Sequence, residues 1–252
     1  METILVPLTE SPTRQGAPAR QPLGDRRLDD RFFLGASGLA IVIVALGFGL
    51  EFLPGGIRSP RPHTPLVIVH AAVFAGWIIL FAVQTSLVAA GRTRLHKRIG
   101  IGGVVLALIM LSLGFATAVR AARTGYAPIP GVDPLTFLAV PLGDLVVFAS
   151  LFGAAVYWRR TADVHKRLVW LATAMLTFPA VTRLPHVRGR VPMIFAIFLA
   201  LLLGAPIYEW LVRGRAHPVS KWGAIAVFVS VPVRTVVGRT AIWHALATWL
   251  IR

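Results

Sequence analysis

The 252-residue sequence contains no cysteine. That absence excludes thiolate metal sites, iron–sulfur clusters, disulfide exchange and thiol nucleophiles. Charge is scarce as well. Asp, Glu, Lys and Arg make up 14% of the chain, where a soluble domain carries about 25%. Acidic residues are the rarer kind, 10 against 26 Lys and Arg, for a formal net charge of +16. A pI near 11.8 would suit a nucleic-acid binder, but the basic residues fall in short clusters between apolar runs. That pattern belongs to membrane topology and anionic lipid headgroups, so no nucleic-acid partner is expected. No HExxH, GxSxG or phosphate-binding-loop motif occurs, so a membrane protease or ATP-driven machine has no visible active site.

What the chain has in quantity is apolar sequence. Hydrophobic residues reach 56% and the mean hydropathy is +0.73, which excludes a soluble globule and a disordered chain. The expected fold class is all-α, a polytopic transmembrane helical bundle. Crossing a bilayer takes about 20 apolar residues, and runs of that kind cover 31–53, 65–90, 99–119, 134–158, 168–184 and 191–212. A seventh begins near Trp222 and is interrupted by Pro232, Arg234 and Arg239. It either ends near Val237, leaving 241–251 as an interfacial helix, or tilts and continues. About seven crossings are expected in a domain of residues 31–252. Residues 1–30 lack the pattern of a signal peptide and read as a disordered cytoplasmic tail.

Basic residues set the expected orientation. Four lie in the tail and one at Arg31 just after it, four in 92–98, four in 159–167 and three in 213–221, sixteen on one side. The other loops hold Arg58, Arg61, Arg120, Arg123, Arg183, Arg188 and Arg190, seven in all. The N-terminus is therefore expected inside and the C-terminus outside, in a bacterial cytoplasmic membrane. Trp158, Trp210 and Trp222 fall near the inner boundaries, as an aromatic belt requires.

Ionisable residues inside apolar runs are costly and mark function by default. Asp144 lies roughly 14 Å from the outer end of its run, and Arg234 roughly 18 Å from the inner end of the seventh, at 1.5 Å per residue. Both depths approach the middle of a ~30 Å core, so each can neutralise the other. A structural ion pair is the first reading; a proton-coupled carrier of a small solute using Asp144 and Arg234 is the second. The histidines sort by side: His96 and His165 at inner helix ends, His70 and His186 toward the outer face. Imidazoles paired across helices are what a bis-histidine haem b requires, so these four are the candidate ligands. At a helix start, His followed by Lys-Arg equally suits a place among lipid phosphates. His63, His217 and His244 carry little weight. The only lysines, Lys97, Lys166 and Lys221, sit at boundaries, which leaves none for a retinal Schiff base. The four Met are scattered, unlike those of a copper carrier. The stretch Gly100-Ile101-Gly102-Gly103 reads as close helix packing.

Arg94-Leu95-His96-Lys97-Arg98-Ile99 and Asp163-Val164-His165-Lys166-Arg167-Leu168 lie 69 positions apart and suggest two parallel hairpins. At these motifs, extended to Gly100 and through Val169-Trp170-Leu171-Ala172, the chain resembles uncharacterised bacterial polytopic membrane proteins with repeated His-(Lys/Arg)-Arg motifs at helix starts. Pro141-Leu142-Gly143-Asp144 and Pro232-Val233-Arg234 resemble further motifs of that group, over residues 65–250 or so. The chain is distantly similar to small membrane proteins linked to cytochrome oxidase maturation. That resemblance implies haem b-binding electron transfer or assembly of a respiratory complex. It carries over His96 and His165 alone; His70 and His186 rest on depth. A third reading is a non-catalytic accessory subunit of a larger membrane complex.

Overall fold

The computed structural model describes residues 23–52, 64–129 and 131–252, and these are helical, with no strand among them. The helices are α1 (Leu23–Phe52), α2 (Pro65–Ala89), α3 (Thr93–Arg123), α4 (Pro134–Tyr157), α5 (Ala162–Leu176), α6 (Phe178–Val181), α7 (Val191–Arg213), α8 (Pro218–Val237) and α9 (Ala241–Leu250). Local chemistry fixes their ends. Proline opens α2, α4 and α8, where its missing N–H costs nothing. Asp133 caps α4 by accepting from the Thr136 N–H at 2.8 Å. Gly214, at φ 68°, stops α7.

Six of these helices, all but α5, α6 and α9, are long and apolar enough to cross a membrane. Their outer faces show Ile101, Leu108, Val146 and Leu211 to the surroundings, the exposure a bilayer requires and water penalises. The chain is a multi-pass helical membrane protein. A further segment, α5 and α6, runs alongside α1 in two pieces. Lys166 of α5 pairs with Asp29 of α1, and Ala180 of α6 lies against Gly47 of α1. From residue 29 to residue 47 α1 rises roughly 27 Å, so α5 and α6 together run most of the thickness of a bilayer core. The break falls at Thr177, whose hydroxyl donates to the Ala174 carbonyl at 2.6 Å, two residues before Pro179.

Around that broken helix the others assemble. α5 packs against α4, α7 and α8, and from Leu168 to Met175 only Val169 is not fully buried. The main core joins Trp77, Phe81, Phe148, Trp170 and Phe198. The Trp77 indole N–H donates to Thr173 Oγ1 at 3.2 Å, tying α2 to α5. α8 ends at Val237, and α9 folds back over the end of α4, where the Trp243 indole N–H donates to the Leu135 carbonyl at 2.7 Å. Of the two expectations for the seventh run, the structure adopts the one that ends at Val237, followed by a separate short helix.

Three boundaries need correction. The expected tail of 1–30 ends early, because α1 begins at Leu23 and buries Asp29 at 3% exposure; residues 1–22 lie outside the described residues. The third helix starts at Thr93, not 99, so the first His-Lys-Arg motif lies within it. The fifth starts at Ala162, not 168, for the same reason. Apolar-run counting trims charged helix ends, although hydrogen bonding continues past the apolar boundary.

Candidate functional site

His96 and His165 each occupy the fourth position of their helix, α3 and α5. The turns before them, after α2 and α4, bring the two rings to one place: their centres are 6.4 Å apart and their planes at 85°. His165 Nδ1 lies 2.8 Å from the Ala155 carbonyl. A carbonyl only accepts, so the Nδ1–H donates to it, and Nε2 is the nitrogen that faces away from this bond. His96 Nδ1 is buried without a hydrogen-bond partner, as is Gln84 Oε1 on α2. Gly100, one turn beyond His96, faces the Gln84 amide. Gly100 and Gly103 do lie close to α2, while Ile101 and Gly102 face outward.

The other two candidate ligands do not join them. His70 is partly buried on α2, stacked on Phe74 with ring centres 4.1 Å apart, and its Nδ1 has no partner. His186 is an exposed loop residue with φ 64°. Among the described residues no contact links His70 to His186, so a second haem between this pair has no support in the geometry. α2 meets α1 and α3, whereas the His186 loop follows α6 beside α1 and α7.

Arg234 donates through Nη1 to Asp144 Oδ1, joining α8 to α4. Its Nε donates to the Ser230 carbonyl at 2.9 Å, and its Nη2 reaches Ser230 Oγ at 3.3 Å. The arginine stem lies on Gly143, where a Cβ would collide with its Cγ and Cδ. The Pro-Leu-Gly-Asp motif thus supplies both the carboxylate and the bare backbone against which the arginine packs.

A larger ion network had no clear trace in the sequence. Asp29 of α1 accepts from Lys166, from Arg213 at 2.7 Å and from the Tyr208 hydroxyl at 2.9 Å. Arg167 Nε donates to Glu209 Oε1 at 2.6 Å, with both residues 1% exposed. Glu209 also accepts from the Ser220 hydroxyl and the His217 N–H, at 2.8 and 2.7 Å. Lys166 and Arg167 reach Asp163 as well. Three carboxylates meet three cations, and four helices are fastened together. Lys166, Arg167 and Arg213, counted by side for orientation, are paired with carboxylates inside the bundle. His217, in the turn between α7 and α8, uses Nδ1 to accept the Val219 N–H at 3.2 Å. Burial and the nearby Arg167 guanidinium hold its pKa below the ordinary histidine value. The one signal available was the rarity of acids in this chain: each of them within a helix was worth a partner search.

Among the described residues no group of three or more His, Asp or Glu is placed to hold a metal ion. Fold and site together define a multi-pass helical membrane protein whose repeated motif histidines converge near one end of the bundle. No protein-family model, curated protein or solved structure matches the chain.

Proposed function

We propose that the protein carries a b-type haem between His96 and His165 and serves membrane electron transfer or the assembly of a respiratory complex. The observation that carries this reading is the 6.4 Å separation of the two rings. Two imidazoles brought together from the ends of neighbouring helices are the residue types that would hold a b-type haem iron. His165 has the support expected of a ligand: its outer nitrogen is fixed by the Ala155 carbonyl, which sets the tautomer and leaves Nε2 to coordinate. The unpartnered Nδ1 of His96 is a buried polar atom that costs stability as it stands. The group would supply one-electron chemistry; the chain orients the two rings and holds them at the ends of α3 and α5. The solute-carrier reading draws less support, since the contacts on Arg234 and the bare face of Gly143 make the Asp144 pair a clasp.

The test is a reduced-minus-oxidised visible spectrum of detergent-purified protein from cells supplied with haem precursor. The expected result is a sharp α-band of a bis-histidine haem, lost in His96→Ala and in His165→Ala and kept in His186→Ala and Asp144→Asn. A flat spectrum at full haem supply would sink the reading.

A further inference from the structure

The two related motifs are treated oppositely by the fold. In the second, Lys166 and Arg167 are covered by α1, α7 and α8 and matched by Asp29, Asp163 and Glu209. In the first, Lys97 and Arg98 stand at the equivalent positions and are exposed, as are Arg92 and Arg94 beside them. None of these four has an ion-pair partner among the described residues. The first turn of α5 contains Asp163, but the first turn of α3 contains no acid. Four cations therefore crowd a helix start that already carries partial positive charge, an arrangement that needs an anion. No carboxylate of the described residues supplies it.

The surroundings indicate where that anion comes from. A groove on the outer face of α2 is lined by Ile79, Ala82, Val83, Ser86 and Leu87, and it runs down to Arg92. From residue 79 to residue 90 the stripe rises roughly 16 Å, about the thickness of one leaflet of a ~30 Å core. Apolar wall above and guanidinium below match an acyl chain above and a phosphate below. We infer that the turn between α2 and α3 is a binding site for an anionic phospholipid, its phosphate held by Arg92, Arg94, Lys97 and Arg98 and one acyl chain lying along α2. In the equivalent motif of α5, the chain's own carboxylates neutralise Lys166 and Arg167 and take the phosphate's place.

The experiment uses delipidated protein in neutral detergent, with thermal stability and native mass spectrometry read as phosphatidylglycerol or phosphatidylcholine is added. Phosphatidylglycerol is expected to bind and raise the Tm; phosphatidylcholine is not. The surface variant Arg94→Gln/Lys97→Gln/Arg98→Gln should weaken apparent phosphatidylglycerol affinity roughly a hundredfold, each basic residue near an anionic headgroup contributing about fivefold. Ser86→Trp, which fills the exposed groove, should weaken it too, while Arg159→Gln/Arg160→Gln at the other turn should not. The inference fails if the triple variant keeps its lipid preference or if the Arg159/Arg160 variant loses it. It fails equally if inorganic phosphate alone reproduces the stabilisation, or if an acidic protein co-purifies on these residues and the lipid does not.

Discussion

Arg167 and Glu209 are each 1% exposed, and a charge so placed is tolerable only while its partner is present. Arg167→Met leaves the Glu209 carboxylate uncompensated and is expected to cost about 3–5 kcal/mol of stability. Glu209→Gln, which loses the charge and keeps only one of the two acceptor oxygens that serve Ser220 and the His217 N–H, should cost a comparable amount. The double variant should recover most of the loss, because no unpaired charge remains. A double-mutant cycle on thermal unfolding in detergent measures this; strictly additive losses would show that the two side chains are not coupled. His217 gives the same cluster a pH dependence. Its folded pKa is lowered, so the unfolded chain binds the extra proton first as pH falls. Stability is therefore full above the ordinary value of about 6.5 and declines as pH drops below it toward the folded pKa. His217→Asn retains a capping acceptor for the Val219 N–H and should flatten that slope in Tm measured between about pH 5 and pH 7.

At the scale of elements, α5 is the unusual one. It is too short to cross a bilayer alone, and its continuation through α6 depends on α1 to hold the break in place. Gly47 is the point of closest approach, where a Cβ would strike the Ala180 carbonyl. Gly47→Leu is expected to push α1 from α6 and to destabilise by about 1–3 kcal/mol. Gly49→Leu, at a position with nothing within 4 Å, should be nearly neutral. Equal Tm losses from the two would show that the contact between α1 and α6 is not a close one. Such an approach is the membrane solution to helix association: small residues admit a neighbouring backbone, since lipid supplies no hydrophobic drive between helices.

Over the whole molecule, the two motif-bearing turns lie at the end where Asp29 sits, and α9 covers the opposite end, where Arg123 donates to the Ile251 carbonyl at 2.8 Å. A chain with no cysteine allows this to be checked directly. Thr161→Cys and Thr124→Cys, both at exposed positions, should react with a membrane-impermeant maleimide from opposite sides. The basic-residue asymmetry predicts Thr161→Cys on the cytoplasmic side; labelling of both from one side would overturn the count of crossings.

Most of the architecture was legible in the sequence because a bilayer imposes a local rule. Every backbone polar group must be satisfied within the segment, so run length and apolar content alone mark a crossing. That rule placed six long helices and the run now seen as α5 and α6, and it brought Asp144 and Arg234 to a common depth. It mislaid the starts of α1, α3 and α5, where helix continues into charged sequence. It also gave no means of telling Lys97 and Arg98 from Lys166 and Arg167, which have the same residue types at the same place in a repeated motif. Tertiary structure alone decided that one pair lies under α1, α7 and α8 beside carboxylates while the other faces outward. Likewise, depth set His70 and His186 on one side of the membrane, but only the packing order of helices separates them and brings His96 to His165. Crossing a bilayer is a property of some twenty consecutive residues, whereas neutralising a buried charge requires a partner that the chain brings from far away in sequence.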